Sequence, residues 1–345
     1  MRIPGIRPGV ISAATLVLLA GSAAPVAAQA FVPERGEASV TMLFQSTLVK
    51  DHLVLSGPVD SGHIQSQGIV ADFSVGLGRK FALSVGVPYI GSKYTGTKPH
   101  LLLPSEKPLY PTFTSLDDGR YHSTWQDFRA ELRYGLRKAG FAISPFVGTI
   151  VPSHDYEYLS HAAVGRDVRE LQVGVYAARI LDPWLPRVFI QAGYTHGFEQ
   201  RIVDISRQRS IVPFEGGYFA TPSLRVFGLG SLEVTHGGID VYTSARADYQ
   251  GLLYINHDRI QRENMLNVGA GAAYTLSDRT EIVASFTRTV WGINGHAQWG
   301  ALTVGVSYGI NPHRRLGAAS GSAEAAAECH GTPEDRLEKC VCLRK

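Results

Sequence analysis

The sequence predicts an all-β protein: a transmembrane, up-and-down antiparallel β-barrel of about 12 strands, with a short, mostly disordered C-terminal tail. Three observations predict it. Strand-length segments repeat an alternation of apolar residues with small, polar or charged ones. In Ala301 to Ile310, for example, Leu302, Val304, Val306, Tyr308 and Ile310 oppose Thr303, Gly305, Ser307 and Gly309. Side chains on a strand point to opposite faces in turn, so each such segment has one wholly apolar face. The connections run long, short, long, short, as when one side of a membrane carries turns and the other loops. The segments are near the ~9–11 residues of a tilted membrane strand. An even count brings both chain ends to the periplasmic side.

The chain opens like a secretory precursor. Arg2 and Arg7 make a basic n-region, Val10 to Ala20 an apolar h-region, and Ala28-Gln29-Ala30 an A-x-A cleavage site. The h-region is shorter than the ~20 residues of a spanning helix. Residues 1–30 are expected as signal peptide, 31–310 as barrel and 311–345 as a periplasmic tail. Charged or polar residues interrupt every later apolar run. Net charge is +3, and +1 (3 − 2) without Arg2 and Arg7, which gives no electrostatic case for nucleic acid. Neither a phosphate-cradling glycine loop nor zinc-finger spacing occurs, so no cofactor is expected.

Taken in order, Pro33 to Gly36 is a linker, and Ser39 to Val49 sets Val40, Met42, Phe44 and Leu48 on one face. A connection from Asp51 to His63 leads to Ile69, Ala71, Phe73, Val75 and Leu77, opposed by Asp72, Ser74 and Gly76. Gly78-Arg79-Lys80 turns into Phe81, Leu83, Val85, Val87 and Tyr89. After a long connection to Ser123, Phe128, Ala130, Leu132, Tyr134 and Leu136 alternate with Asp127, Arg129, Glu131, Arg133 and Gly135. That pair of faces is the most diagnostic, because a barrel puts the charged one in a wet lumen. Lys138-Ala139-Gly140 turns into Phe141 to Val151, and a loop from Pro152 to Asp167 precedes Leu171, Val173, Val175 and Ala177, opposed by Glu170, Gln172 and Gly174. Asp182-Pro183 turns into Val188, Ile190, Ala192 and Tyr194. A polar connection from Glu199 to Arg209 precedes Ile211 to Ala220, and Thr221-Pro222-Ser223 turns into Leu224 to His236. A charged connection from Gly237 to Glu263 leads to Leu266, Val268, Ala270, Ala272, Tyr274 and Leu276. Ser277-Asp278-Arg279 turns into Ile282 to Val290, and Gly292 to Gly295 joins the last strand.

Pro88, Pro145 and Pro213 fit poorly, since a closed sheet has no free edge for a residue without a donor; strand ends or bulges are expected there. Arg288 falls on the apolar parity of its strand. It is expected at the outer rim, or turned by a bulge, because mid-membrane burial would cost about 2–4 kcal/mol.

Gly217-Tyr218-Phe219-Ala220-Thr221-Pro222, Thr235-His236-Gly237-Gly238, Asn267-Val268-Gly269-Ala270-Gly271-Ala272, Val290-Trp291-Gly292-Ile293-Asn294-Gly295-His296-Ala297 and Leu302-Thr303-Val304-Gly305-Val306-Ser307 carry a family resemblance. Together they resemble the outer-membrane family labelled as a transporter of the phenol meta-degradation pathway, most strongly over the C-terminal third. The resemblance implies a barrel channel or transporter. Thr303-x-Gly305-x-x-Tyr308-x-Ile310 also resembles the C-terminal signal of barrels folded by the outer-membrane assembly machinery. Such proteins usually end at that strand, whereas this chain continues to Lys345.

Asp72, Asp127, Arg129, Glu131, Arg133, Glu170 and Glu215 are the candidate lumen or constriction residues. Rings of charge select ions or polar solutes, and mixed charges equally serve to fill the lumen of a small barrel. His196, His236 and His296 fall near the outward ends of their strands, as an extracellular rim, with His154 and His161 on an outer loop. A metal or hydrolytic site needs a convergence that spacing does not show, so no metal ligand and no catalytic residue are assigned. Tyr94, Leu101 to Leu103, Tyr110 and Phe113 make an apolar outer loop that either gates the pore or packs on itself.

The tail is different. Gly317 to Ala327 reads as a flexible linker, and Thr332-Pro333-Glu334-Asp335 as a helix start with Thr as N-cap and Pro at N1. Cys329, Cys340 and Cys342 flank that helix. In an oxidising periplasm Cys329 pairs with Cys340 or Cys342 and one thiol is left over; a metal site with His330 or a cross-link to a partner are the alternatives.

The expectation is an outer-membrane channel or transporter passing small molecules, apolar or aromatic ones included, through a narrow charged lumen. Its partners are outer-membrane lipid, the barrel-assembly machinery and a small-molecule solute whose identity the residues do not give. The alternatives are an outer-membrane hydrolase with rim catalytic residues, and a non-conducting structural or docking barrel whose tail binds a periplasmic partner.

Overall fold

The computed structural model describes residues 29–54, 57–60, 62–78, 80–241 and 250–310. The expected leader before Gln29 and the tail with Cys329, His330, Cys340 and Cys342 lie outside them. The strands are β1 (Ala38–Val54), β2 (Gly57–Val59), β3 (His63–Gly76), β4 (Phe81–Thr95), β5 (His122–Trp125), β6 (Phe128–Tyr134), β7 (Leu136–Lys138) and β8 (Phe141–Val151). They continue as β9 (Glu170–Leu181), β10 (Leu185–Glu199), β11 (Arg207–Phe219), β12 (Leu224–Gly237), β13 (Asn264–Ser277), β14 (Thr280–Ile293) and β15 (Gly295–Ile310). The short helices α1 (Leu252–Ile255) and α2 (His257–Ile260) lie in the β12–β13 connection.

All neighbours pair antiparallel, and β15 pairs with β1, from Ala38 opposite Ile310 upward. With β5, β6 and β7 as one interrupted strand and β2 as a short branch of β1, the wall is a closed 12-strand barrel. Its polarity is inverted relative to a water-soluble protein. Phe44, Ile69, Val173, Phe286 and Val304 are exposed on the outside, while Arg133, Glu170, Arg209, Glu215 and Thr303 are buried inside. Phe81, Tyr134, Tyr274 and Tyr308 girdle the end with the short turns. Tyr89, Trp125, Tyr194, Trp291 and Trp299 girdle the end with the loops. Such aromatic belts mark the two membrane interfaces.

Each ill-fitting proline marks a gap in one hydrogen-bond ladder. Pro88 pairs with Val70 on β3, but on its other side the pairing stops at Gly86 with β6 and resumes at Tyr89 with β5. Pro145 faces the break at Gly135 between β6 and β7. Pro213 falls where β10 and β11 are unpaired, between the Ala192–Phe214 and Thr195–Ile211 pairs. A residue without an N–H interrupts one ladder, and here the neighbouring strand breaks to match.

Several strands run further at the loop end than the alternation predicts. β1 reaches Val54, β3 starts at His63, β4 reaches Thr95, β10 reaches Glu199 and β11 starts at Arg207. On β3 the outward face of the extension is polar, His63, Gln65 and Gln67, because it projects beyond the lipid that imposes an apolar face. The β14–β15 connection shrinks from the expected Gly292 to Gly295 to Asn294 alone, in the left-handed region at φ 55°. Arg288 stays on the outward face; the nearby bulge comes two residues later, at Val290, and does not turn it inward.

Two opposed bulges alter the seam between β1 and β15. Leu48 pairs with Gly300 and Val49 with Gln298, leaving out Trp299; Asp51 then pairs with Ala297, leaving out Lys50. Lys50 Nζ lies 4.0 Å above the Trp299 ring. Beyond the bulges the parity reverses, and His52 and His296 are buried.

Candidate functional site in the lumen and its mouth

The charged residues of the wall form two groups. Nearer the short turns, Arg129 donates to both carboxylate oxygens of Asp72, at 2.6 and 2.7 Å. Gly86 makes the room, since a Cβ there would lie 2.1 Å from Arg129 Nε. Arg133 lies 3.2 Å from Glu131, which also accepts from Tyr176 Oη at 3.0 Å. Arg225 spans Glu215 at 3.3 Å and Glu281 at 2.8 Å. Asp127 sits apart: it occupies the break between β5 and β6 and accepts from Tyr156 of the β8–β9 connection.

At the loop end the second group is denser and wholly buried. Glu199 accepts from Arg166 and Arg207, and Arg209 lies 2.7 Å from Glu170 and 3.5 Å from Glu233. Arg207 Nε donates to the Gln261 carbonyl at 2.7 Å, and Glu263 stands 4.0 Å from the same guanidinium. Burial raises the Glu263 carboxyl to about 7 against the pull of Arg207, with Glu233 pushing the same way. Buried charges persist only when paired, and here the pairs fill that part of the lumen. Of this group Glu170 is the one residue expected in the lumen; Glu199, Arg207 and Arg209 fall in the expected Glu199 to Arg209 connection.

The rim histidines divide. His196 and His236 share the outward face, both hydrogen-bonded to Ser210 Oγ, at 3.1 and 2.8 Å, with His196 Nε2 also 3.1 Å from Gln208 Oε1. His154 lies with Ser153 and Thr124 at the exposed mouth. His296 also lies at the loop end, where the seam bulge turns its side chain inward, and it contacts His52. Inside the mouth, within electrostatic reach of that pair, lie His100, His161 and His257.

Three connections bring these residues together. The β4–β5 connection supplies His100 and Asp117, the β8–β9 connection His161, and α2 His257 with Asp258. His100 Nε2 is 3.2 Å from His257 Nε2, and His257 Nε2 is 3.2 Å from Asp258 Oδ1. His257 Nδ1 donates to the Tyr254 carbonyl at 2.6 Å, and His161 Nε2 to the Lys98 carbonyl at 2.8 Å. Burial pushes His161 well below its ordinary value, with His100 acting the same way, so its ring is neutral. Burial works against the Asp117 charge, but hydrogen bonding to His100 and the nearby His161 hold its carboxyl below the usual range.

The apolar outer loop packs rather than hangs free. Tyr94 belongs to β4 and is buried with Val49, Ile64 and Ala162, while Tyr110 stacks on Tyr158 at 5.5 Å and donates to Glu157. Leu101 and Leu103 remain exposed. His52, His100, His257, Asp117 and Asp258 were not singled out from sequence; the adjacent His257-Asp258 pair was the one local cue.

A closed, inside-polar barrel with two aromatic belts is the fold of an outer-membrane β-barrel. No family model and no curated protein matches the chain. Among solved structures it is similar to an outer membrane channel from Pseudomonas putida F1, at 12% identity over 82% of this chain and 98% of that one, with a TM-score of 0.60. It also aligns with the NanC porin, at 8% identity over 78% of this chain and 98% of that one, TM-score 0.44. A further match is a TodX monoaromatic hydrocarbon channel mutant, at 11% identity over 84% and 94%, TM-score 0.40. At such identities the likeness is one of fold.

Proposed function

We propose that the protein is an outer-membrane channel for small molecules, with a charged lumen and a mouth covered by its long connections. The observation that carries this reading is the inverted wall: a continuous apolar exterior around an interior of paired Arg, Asp and Glu side chains. Apolar and aromatic solutes are the class suggested by the family resemblance and by the exposed Leu101 and Leu103 at the mouth. The buried Glu199–Arg207–Arg209 group supports a lumen that is narrow at its outer end. Single-channel recording of the purified protein in a planar bilayer tests the reading: discrete, salt-dependent openings are expected, and a folded barrel without conductance refutes it.

A second reading rests on Ser210, which lies between His196 and His236 on the outward face at the loop end. A serine nucleophile with a histidine base is the minimum of a hydrolase, and release of fatty acid from phospholipid vesicles is its test.

A further inference from the structure

We propose that His100, His257 and Asp258 bind one late first-row divalent transition-metal ion, and that the ion staples the β4–β5 connection to the β12–β13 connection over the mouth of the barrel. The ligand atoms lie within 4.8 Å of one another, on two connections far apart in sequence. Their spacing suits an ion between them. Two nitrogens each about 2.0–2.1 Å from a tetrahedral centre are about 3.3 Å apart, and His100 Nε2 and His257 Nε2 are separated by 3.2 Å.

The protonation pattern points the same way. The Tyr254 carbonyl can only accept, so His257 carries its proton on Nδ1 and presents a lone pair at Nε2. The Asp117 carboxylate, 3.6 Å from His100 Nδ1 and fixed by the backbone N–H groups of His100 and Ala162, favours the same tautomer in His100. Backbone carbonyls and carboxylates behind the rings are the usual partners of metal-bound histidine. With both protons on Nδ1 the two Nε2 lone pairs face each other across 3.2 Å, an arrangement that a cation between them satisfies.

Asp258 supplies the charge. It is buried, and neither carboxylate oxygen has a hydrogen-bond partner. A buried carboxylate without hydrogen bonds, its nearest partner being His257 Nε2 at 3.2 Å, is costly, and a divalent ion at the site lowers that cost. His161 stands beside the site: its ring centroid is 4.0 Å from that of His100, its Nδ1 has no hydrogen-bond partner, and its ligand atoms group with His100 and Asp117. Imidazole-rich sites select Zn2+, Cu2+, Ni2+ and their neighbours, while oxygen-seeking Ca2+ and Mg2+ want carboxylates and carbonyls.

The test uses full-length, untagged barrel with its cysteines alkylated, folded as judged by heat-modifiable gel migration. Equilibrium dialysis against Zn2+ should leave about one bound ion per chain, as a single closed site requires. His100→Ala and Asp258→Asn should abolish that binding, and Asp117→Asn should weaken it by about 10–100-fold, as loss of a supporting partner does. The ligand-field spectrum of added Co2+ reads the wild-type protein directly, whether or not the variants fold. Histidine-bound, low-symmetry Co2+ bands that Zn2+ displaces are expected. Wild-type barrel that retains no Zn2+ or shows only hexaaqua Co2+ overturns the proposal, as does retention unchanged in folded His100→Ala.

Discussion

Replacing Glu199 by Gln and Glu263 by Gln should move stability in opposite directions at pH 8, although both carboxylates face Arg207. The Glu199 side chain is only 1% exposed and takes hydrogen bonds from Arg166 at 2.6 and 3.1 Å, and from Arg207. Glu199→Gln leaves Arg166 without the carboxylate that it bonds through both nitrogens and Arg207 without its shortest contact, and breaking a buried pair costs about 3–5 kcal/mol. Glu263 is the reverse case. Its folded value of about 7 stands above the ordinary 4.5. Below pH 4.5 both folded and unfolded chains hold this proton. As pH rises to about 7 the unfolded chain loses it first, so stability falls, and above that the full penalty remains. At 1.36 kcal/mol per pH unit the span amounts to roughly 3 kcal/mol, which Glu263→Gln should restore at pH 8 and not at pH 4. The assay is urea unfolding of barrel refolded into phospholipid vesicles, followed by tryptophan fluorescence and gel migration at each pH. A Glu199→Gln loss below about 1 kcal/mol, or a Glu263→Gln effect independent of pH, refutes this account of the outer group.

Further outcomes are expected on the same physical grounds. Arg129→Ala leaves Asp72 without its bidentate partner, so reversal potentials in asymmetric salt should shift toward cations; an unchanged potential would place the pair off the conduction path. Arg288→Leu should raise the unfolding free energy by no more than about 2 kcal/mol, because the side chain faces outward between mid-membrane and the belt, three residues short of Trp291. Ser210→Ala should leave fatty-acid release at the same background as the wild type, and a selective loss of turnover would favour the hydrolase reading.

The membrane-embedded wall was legible because lipid imposes one rule on every strand, apolar out and polar in, and a period of two survives in Phe128 to Leu136 or Leu302 to Ile310. Where lipid stops, the rule stops, and the extensions carrying Glu199, Arg207 and Arg209 read as loop. Asp72, Arg129, Glu131 and Arg133 were found by their parity. His296 lies at the loop end of its strand, and parity alone does not give its inward face, since one inserted residue at Trp299 reverses everything beyond it. His100 and His257 stand 157 positions apart, and only the barrel's closure and the fold of its connections bring them together. No local pattern encodes that meeting.

The paired bulges at Lys50 and Trp299 also have a consequence for how the cylinder shuts. The seam joins the first and last strands, so its contacts span almost the whole chain, as Thr41 to Ser307 does at 266 positions, and such pairings form late. A strand end arriving one residue out of register would set every side chain on the wrong surface. It would also leave Lys50 without the ring of Trp299. The two irregularities act as key and keyway: they reject the neighbouring alignments, so that shear number and inward histidines are set in one step.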